Sequence, residues 1–393
     1  MTDTHPLSGT AKIGFASIAE KNRTIDRILA VLGEKNGFLL LGHELPDEDC
    51  ISSLVSMALV IKKFHKNVSV CITDKIPDQL SYLVNICAYN QITLLRECDS
   101  LEHRPEAVIV LDTPKPDMIA APPCAKKLIE DRAVRVIELD HHLSADAACT
   151  GDPGYCLVAR ATSTCELIAL LCYKLSCKPE LLEKHKIDEL YSRNLVLSLL
   201  TGMIGDTRLG LTLKKNRDIF FYKHFTHRFS GILQSTVRKN SGNYSSMTDI
   251  FDTLQSLSPV ELDLYRELLE RAHYFGRTGY MVIPEEETAK YMAGVEYPTF
   301  VKVIKAVTDF LSEKSGTLGL TVYYDPPEVS DLIQFRVRIS RRVTDIDLRK
   351  LLMDFSITDG GGHPGAIGFR FPRSQLPSLT DYLVTLLEKL ETV

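Results

Sequence analysis

His43, Asp47 and Asp49 stand close together in GHELPDEDC, the first of four polar clusters that each follow an apolar run. Asp112 follows AVIVL, Asp140, His141 and His142 follow VRVIEL, and Asp206 ends the run NLVLSLLTGMIGD. Imidazoles and carboxylates are ligands for divalent metals and the usual parts of acid–base sites. Taken singly, each has an ordinary explanation. Asp49 is placed to cap a helix, Asp112 to close a strand, and a His pair to lie on the surface. Taken together they put several like charges in one place, which disfavours the ionised forms unless a cation is present. Two divalent metals satisfy that array. A mixed set of His and carboxylate ligands suits Mn or Zn and leaves Mg or Fe open.

Elements that alternate in type must position these groups. A helix is expected over about 17–35, a buried strand at 37–43, a helix at 50–64, and strands at 68–72, 107–112 and 134–140. Helices follow at 162–175 and, for most of its length, 187–206. This alternation argues a parallel sheet with helices on both faces. In such sheets ligands bind outside the carboxyl ends of the strands, where His43, Asp112 and Asp140 are expected to meet. The pattern changes near 210, with a helical connector and polar loop over 211–260. A second alternating region then carries strands at 278–284, 318–324, 332–340 and 365–371 and helices at 300–311, 346–355 and 382–391.

The five ordered elements HxxxDxD at 43–49, Asp112, DHH at 140–142, GD at 205–206 and DGGGHPGAIGF at 359–369 resemble the DHH phosphoesterase superfamily and its associated C-terminal DHHA1 domain. The resemblance implies an α/β chain: a parallel-sheet metal-binding catalytic domain at 1–210, the connector at 211–260, and a smaller α/β substrate-binding domain at 261–393, with a cleft between them. It implies that His43, Asp47 and Asp112 hold one metal. Asp49, Asp112, His141 and Asp206 would hold the second, with Asp112 bridging. Asp140 would orient a histidine and His142 would face the substrate phosphate. The expected cofactors are two divalent ions, Mn2+ first, with Mg2+, Co2+ or Zn2+ as alternatives. Two cations roughly 3.5–4 Å apart clamp both oxygens of an in-line displacement at phosphorus, and a hydroxide between them is the nucleophile.

Gly360, Gly361, Gly362 and His363 would contact substrate, because a glycine run exposes backbone N–H groups to phosphate oxygens. Without the family context the same run reads as a tight turn before a strand. Arg336 and Arg338 are two apart, so they share a face of a strand. That face suits an anionic substrate, with a solvated edge strand as the rival reading. Arg208 stands where relatives carry glycine, and either holds a substrate phosphate or makes a surface salt bridge. Ser163 and Thr164 are natural helix caps that could also support the site. Glu48 and Ile51 replace small residues of the family pattern.

The 393 residues carry 46 Lys+Arg against 51 Asp+Glu, a net charge of -5, with 45 % hydrophobic residues. That mix excludes intrinsic disorder and argues against a bulk binder of long duplex nucleic acid. The N-terminus has no basic head before an apolar core, no run is long enough to span a membrane, and the ten cysteines read as free thiols in a reducing cytoplasm. The expectation is a cytoplasmic Mn-dependent phosphoesterase, of nanoRNase type, that binds no membrane. Its substrates would be small nucleotides: short oligoribonucleotides, cyclic dinucleotides or 3′-phosphoadenosine 5′-phosphate. A homodimer is left open. The alternatives are an inorganic pyrophosphatase or polyphosphatase, against which DGGGH argues, and a non-catalytic nucleotide-binding protein.

Overall fold

The computed structural model describes residues 10–96, 104–143, 147–210, 213, 215–235, 244–292, 294–343, 345–376 and 378–392. Two compact units divide the chain, Met1–Leu254 and Gln255–Val393.

In the first unit, α1 (Ile18–Glu34) leads to β1 (Gly37–Leu41), α2 (Glu48–Lys63), β2 (Asn67–Cys71), α3 (Ser81–Tyr89), β3 (Thr93–Leu95), β4 (Ala107–Leu111), α4 (Pro123–Glu130), β5 (Arg135–Asp140) and β6 (Cys156–Val158). The helices α5 (Thr164–Ser176), α6 (Pro179–Lys184), α7 (Arg193–Thr207), α8 (Asn216–Ser235) and α9 (Met247–Gln255) follow. The six strands pair in the order β3-β2-β1-β4-β5-β6, all parallel. Strands β1 and β4 read as continuous apolar runs because both faces of a parallel sheet are covered. Chain order reverses between β1 and β4, so a crevice opens there at the carboxyl edge.

Three expectations change. The cap of α2 is Asp47, not Asp49: its carboxylate accepts from the N–H groups of Asp49 and Cys50 at 3.2 Å each, which leaves Asp49 in the first turn of the helix. The helix expected from 187 begins only at Arg193, after its cap Ser192. Helices α8 and α9, within the span read as a connector, bury Tyr222, Phe225, Phe229, Leu233, Ile250, Phe251 and Leu254 in the core of the first unit. An amphipathic helix next to an apolar surface gains roughly 1.5–3 kcal/mol per buried large side chain, so it docks rather than spans. The polar run at 239–243 lies outside the described residues, as does the extreme N-terminus at 1–9.

Among the described residues eight cysteines are free, and Cys50, Cys71, Cys87, Cys165 and Cys172 are buried as expected of thiols in apolar runs. Cys124 is disulfide-bonded, which corrects the reading of all ten as free thiols. Among the described residues, no helix is long and apolar enough to cross a membrane.

The second unit is smaller. It contains α10 (Pro259–Leu269), β7 (His273–Phe275), β8 (Thr278–Ile283), α11 (Glu285–Met292), α12 (Tyr297–Ser315), β9 (Leu318–Tyr324), β10 (Leu332–Ile339), α13 (Arg349–Asp354), β11 (Gly360–His363), β12 (Ala366–Pro372) and α14 (Leu379–Leu390). Its mixed sheet runs β11-β12-β10-β9-β8-β7, with only β8 and β9 parallel. Strand β10 alternates inward Ile333, Phe335, Val337 and Ile339 with half-buried Gln334, Arg336 and Arg338.

Candidate metal centre

Asp112 follows β4 with a φ of 52°, in the left-handed region that few non-glycine residues enter. Its N–H donates to the Leu139 carbonyl at 3.0 Å, and its carboxylate accepts from the Thr164 hydroxyl at 2.9 Å. The side chain is only 2 % exposed. Such a conformation at a buried acid costs on the order of 1 kcal/mol and persists where the surroundings enforce it. Here it aims one carboxylate at three imidazoles. Asp112 oxygens lie 3.4 Å from His141 Nε2, 3.7 Å from His142 Nδ1 and 3.8 Å from His43 Nε2.

His43 comes from the loop after β1. Its Nδ1 meets the Glu44 carbonyl at 2.7 Å, and its Nε2 also faces Asp47 at 3.8 Å. Gly42 is required just before it, because a Cβ there would strike the Cys50 sulfur at 2.5 Å. Asp49 accepts from the N–H groups of Thr164 and Cys165 at 2.5 and 3.1 Å, at the positive end of α5. That is the observed role of the Ser163–Thr164 segment, whose Ser163 caps α5 by accepting from the Glu166 N–H. His141 Nε2 lies 3.4 Å from Asp206 and 4.0 Å from Asp49. Asp206 rides on α7, which approaches α2 closely because of its glycines. A Cβ on Gly202 would meet an Asp49 oxygen at 2.5 Å, and one on Gly205 would meet the Glu48 Cβ at 2.7 Å.

The structure therefore brings all six expected ligands to one edge of the sheet. On one side His43 faces both Asp112 and Asp47 at 3.8 Å, and on the other Asp49, Asp112 and Asp206 gather about His141. Ligand atoms of Asp49, His141 and Asp206 all lie within 4.8 Å of one another, and so do those of His43, Cys50 and Asp112. Cys50 was not foreseen as a neighbour of the site. Its place at the head of an apolar helical run gave only a packing signal.

Electrostatics say why the cluster suits divalent cations. Burial, then repulsion from Asp112, pushes Asp49 up to about 8. Asp206 is raised well above the carboxylate range by burial and then by Asp49. Burial pulls the His141 imidazole down, but Asp112, Asp206 and Asp49 more than reverse it and leave it raised. His43 is likewise raised against its burial, chiefly by Cys50 and Asp47. The metal-free cluster must borrow protons to be neutral. Metal ions fill the same need with oxygen and imidazole ligands already in place.

Asp140, the last residue of β5, has no exposed side-chain surface. It accepts from His142 Nδ1 at 2.7 Å and from the His142 N–H at 3.2 Å. Burial would raise it, but His142 and Lys12 hold it well below the usual carboxylate range. As a carboxylate it can only accept, so His142 Nδ1 carries the proton and Nε2 is left for another partner. Lys12, buried against Asp140, was missed by sequence reasoning. A lysine in a short polar N-terminal segment carries no signal of burial. Arg208 ends α7 in the left-handed conformation, two residues past Asp206, and is half-buried.

The remaining candidates lie in the second unit. Gly360–His363 form β11, an edge strand joined to β12 by a two-residue turn at Pro364–Gly365. The glycine requirement is local: Gly362 has a φ of 138°, and a Cβ on it would strike the Ala366 carbonyl at 2.2 Å. A Cβ on Gly361, by contrast, would meet nothing within 4 Å. Arg336 and Arg338 do share a face of β10. Arg338 Nε faces Asp309 at 3.6 Å, and Arg336 donates to the Tyr323 hydroxyl at 3.3 Å. Arg336, Gly368 and Gly361 pair across three neighbouring strands, so the arginine stands beside a row without side chains.

Residues 38–203 match a family model described as the DHH family, N-terminal domain. No curated protein matches the chain. Among solved structures, an exopolyphosphatase-related protein from Bacteroides fragilis superposes with a TM-score of 0.61 at 19 % identity, covering 94 % of this chain and 96 % of that one. At that identity the likeness shows a shared fold. A pGpG-specific phosphodiesterase from Vibrio cholerae matches with a TM-score of 0.33 at 14 % identity over 90 % of this chain and 99 % of that one. RecJ from Thermus thermophilus, in complex with Mn2+, matches with a TM-score of 0.45 at 13 % identity over 98 % of this chain and 56 % of that one.

Proposed function

We propose, from the match of residues 38–203 to the DHH family's N-terminal domain, that the chain is a metal-dependent phosphoesterase acting on small nucleotides. The observation that supports this most is Asp112, one buried carboxylate within 3.8 Å of His43 and 3.4 Å of His141, shared between two groups of ligands. On this reading His43, Asp47 and Asp112 hold one divalent ion, and Asp49, Asp112, His141 and Asp206 hold the other, with Mn2+ as the proposed metal. Metal ions so bound supply Lewis acidity toward phosphoryl oxygens and make water a nucleophile at neutral pH.

The chain's own groups do the rest. Asp112 serves both ligand groups, so its loss disables both. Thr164 and Cys165 hold Asp49 through backbone N–H groups, which keeps that carboxylate from rotating away. Asp140 fixes His142 by Nδ1, which leaves Nε2 to face a phosphate oxygen or leaving group and, in the imidazolium form, to donate to it. Gly360, Gly361, Gly362 and His363, with Arg336, Arg338 and Arg208, are proposed to hold the rest of the substrate. The engagement of Arg338 with Asp309 weighs against a purely substrate-binding role for that residue.

The substrate class is tested with Mn2+ present and a panel of RNA of two to five nucleotides, short DNA, a cyclic dinucleotide, the adenosine bisphosphate, pyrophosphate and polyphosphate. Preference for the nucleotides supports the reading. Polyphosphate or pyrophosphate cleavage alone would replace it, and the name of the Bacteroides neighbour makes that a necessary arm.

His363→Ala gives a second measurement. Losing one hydrogen bond to a charged group costs roughly 1.5–3 kcal/mol, or about tenfold to a hundredfold. That loss is expected on the preferred nucleotide and not on a minimal chromogenic phosphodiester. Equal losses on both would remove His363 from the substrate-binding set.

A further inference from the structure

Residues 10–12 form a short extended segment outside the span that matches the family model. Ala11 bridges antiparallel to Ala148, the Lys12 N–H donates to the Ala147 carbonyl at 2.9 Å, and the Cys149 N–H donates to the Thr10 carbonyl at 2.8 Å. This pairing delivers Lys12 to the carboxyl end of β5, where its ammonium has no exposed surface. There it meets Glu138 Oε1 at 2.7 Å, the Thr113 carbonyl at 2.6 Å and Asp140 Oδ2 in a close ion pair. The ammonium donates to Thr113 and Asp140, and Glu138 Oε1 faces it as an ion-pair partner outside hydrogen-bond geometry.

Glu138 and Asp140 are two apart on β5, so their side chains share one face, and neither is exposed. Two buried neighbouring carboxylates ionise together only beside a cation. Glu138 also accepts from the N–H groups of Thr150 and Gly151 at 2.8 and 2.9 Å through its other oxygen. Asp140 spends its other oxygen on His142. The third partner, Thr113, follows Asp112 directly. One ammonium is thus tied to the carboxylate that orients His142 and to the turn that carries Asp112.

We propose that Lys12 is a positioning residue of this site, acting through Asp140 on the His142 imidazole and through Thr113 on Asp112. The N-terminal segment is then a part of the active machinery that the family domain itself does not supply. The kinetic consequence rests on the phosphoesterase reading; the structural one does not.

The test uses the full chain and three variants. Lys12→Met removes the charge at similar length and leaves two buried carboxylates facing each other, so its melting temperature is expected to fall. The double variant Lys12→Met/Glu138→Gln removes that repulsion and is expected to melt near the wild type. A partner that orients a site residue is typically worth 10- to 100-fold. The double variant is therefore expected to keep KM and lose kcat by about tenfold to a hundredfold, and Lys12→Arg to recover part of the loss. The second readout is independent of activity. In protein with 15N-labelled histidine, the Nδ1–H resonance of His142, assigned by its loss in His142→Asn, is expected to shift or broaden in the double variant and less so in Lys12→Arg. A double variant with wild-type kcat and an unmoved resonance would overturn the proposal and leave Lys12 a structural counter-ion. If the wild type cleaves nothing on the panel, the phosphoesterase reading falls separately, and the resonance alone decides the role of Lys12.

Discussion

Replacing Asp112 is expected to lower Mn-dependent hydrolysis by about three orders of magnitude or more, which is roughly 4 kcal/mol of barrier, while the protein stays folded. The size follows from its shared position: one carboxylate faces His43 at 3.8 Å and His141 at 3.4 Å. The choice of substitution matters. Alanine at a φ of 52° adds backbone strain of roughly 1–2 kcal/mol to the loss of the ligand. Asparagine tolerates that conformation and keeps the Thr164 hydroxyl satisfied, so Asp112→Asn isolates the carboxylate charge. Both variants are expected to lose activity alike, with the alanine variant the less stable of the two. His141→Ala removes the imidazole that joins Asp112 to Asp206 and is expected to be as damaging. Circular dichroism and a melting curve check the fold, and initial rates on the preferred panel substrate check the activity. Unchanged rates in folded Asp112→Asn or His141→Ala would sink the two-metal proposal.

Much of this centre is written in strand ends. His43, Asp112 and Asp140 each follow a short apolar run, and runs of that kind become adjacent parallel strands whose carboxyl ends share an edge. Asp49 and Asp206 were legible too, because apolar helices carry them to the same place. The finer assignments were not. Asp47 and Asp49 are both good caps, and only the local hydrogen bonds show that Asp47 takes the role. Lys12 is invisible for another reason: its three partners come from Thr113, Glu138 and Asp140, far away in the chain. A residue's burial by distant partners leaves no local pattern. The same holds for α8 and α9, whose aromatic faces look like a connector until the surface they cover is known. Arg336 and Arg338 show the opposite case. Period-two alternation places them on one face with confidence, yet says nothing of Tyr323 and Asp309, the groups that face them.

Stripping the metal should make the stability of this protein fall steeply as pH rises, and adding Mn2+ should abolish the fall. Asp49 stands at about 8 in the folded, metal-free chain because of burial and of Asp112, against roughly 3.9 when unfolded. A group whose folded pKa is raised contributes stability that is fully present below its unfolded pKa and is lost as pH climbs through the folded one. Asp206 is raised for the same reasons, so it acts in the same direction. His141 and His43 are also raised, so they too hold protons more tightly when folded and lose that contribution above the unfolded value of roughly 6.5. All four slopes therefore add, each at up to about 1.4 kcal/mol per pH unit per proton released. For Asp49 the window runs from about pH 4 to about pH 8. Metal ions replace those protons, and at a hundred times their dissociation constant they add about 2.7 kcal/mol. Because protons compete for the same ligands, the stabilisation by Mn2+ is expected to be smallest near the acid end of the window and largest at the alkaline end. Melting temperatures of chelator-treated protein across this range, with and without Mn2+, measure both trends. Asp206→Asn is expected to flatten the metal-free slope and to shrink the response to Mn2+ together, since one carboxylate underlies both. A metal-free melting temperature that stays level with pH, or an equal response to Mn2+ at both ends, would show that these carboxylates are not waiting for a cation.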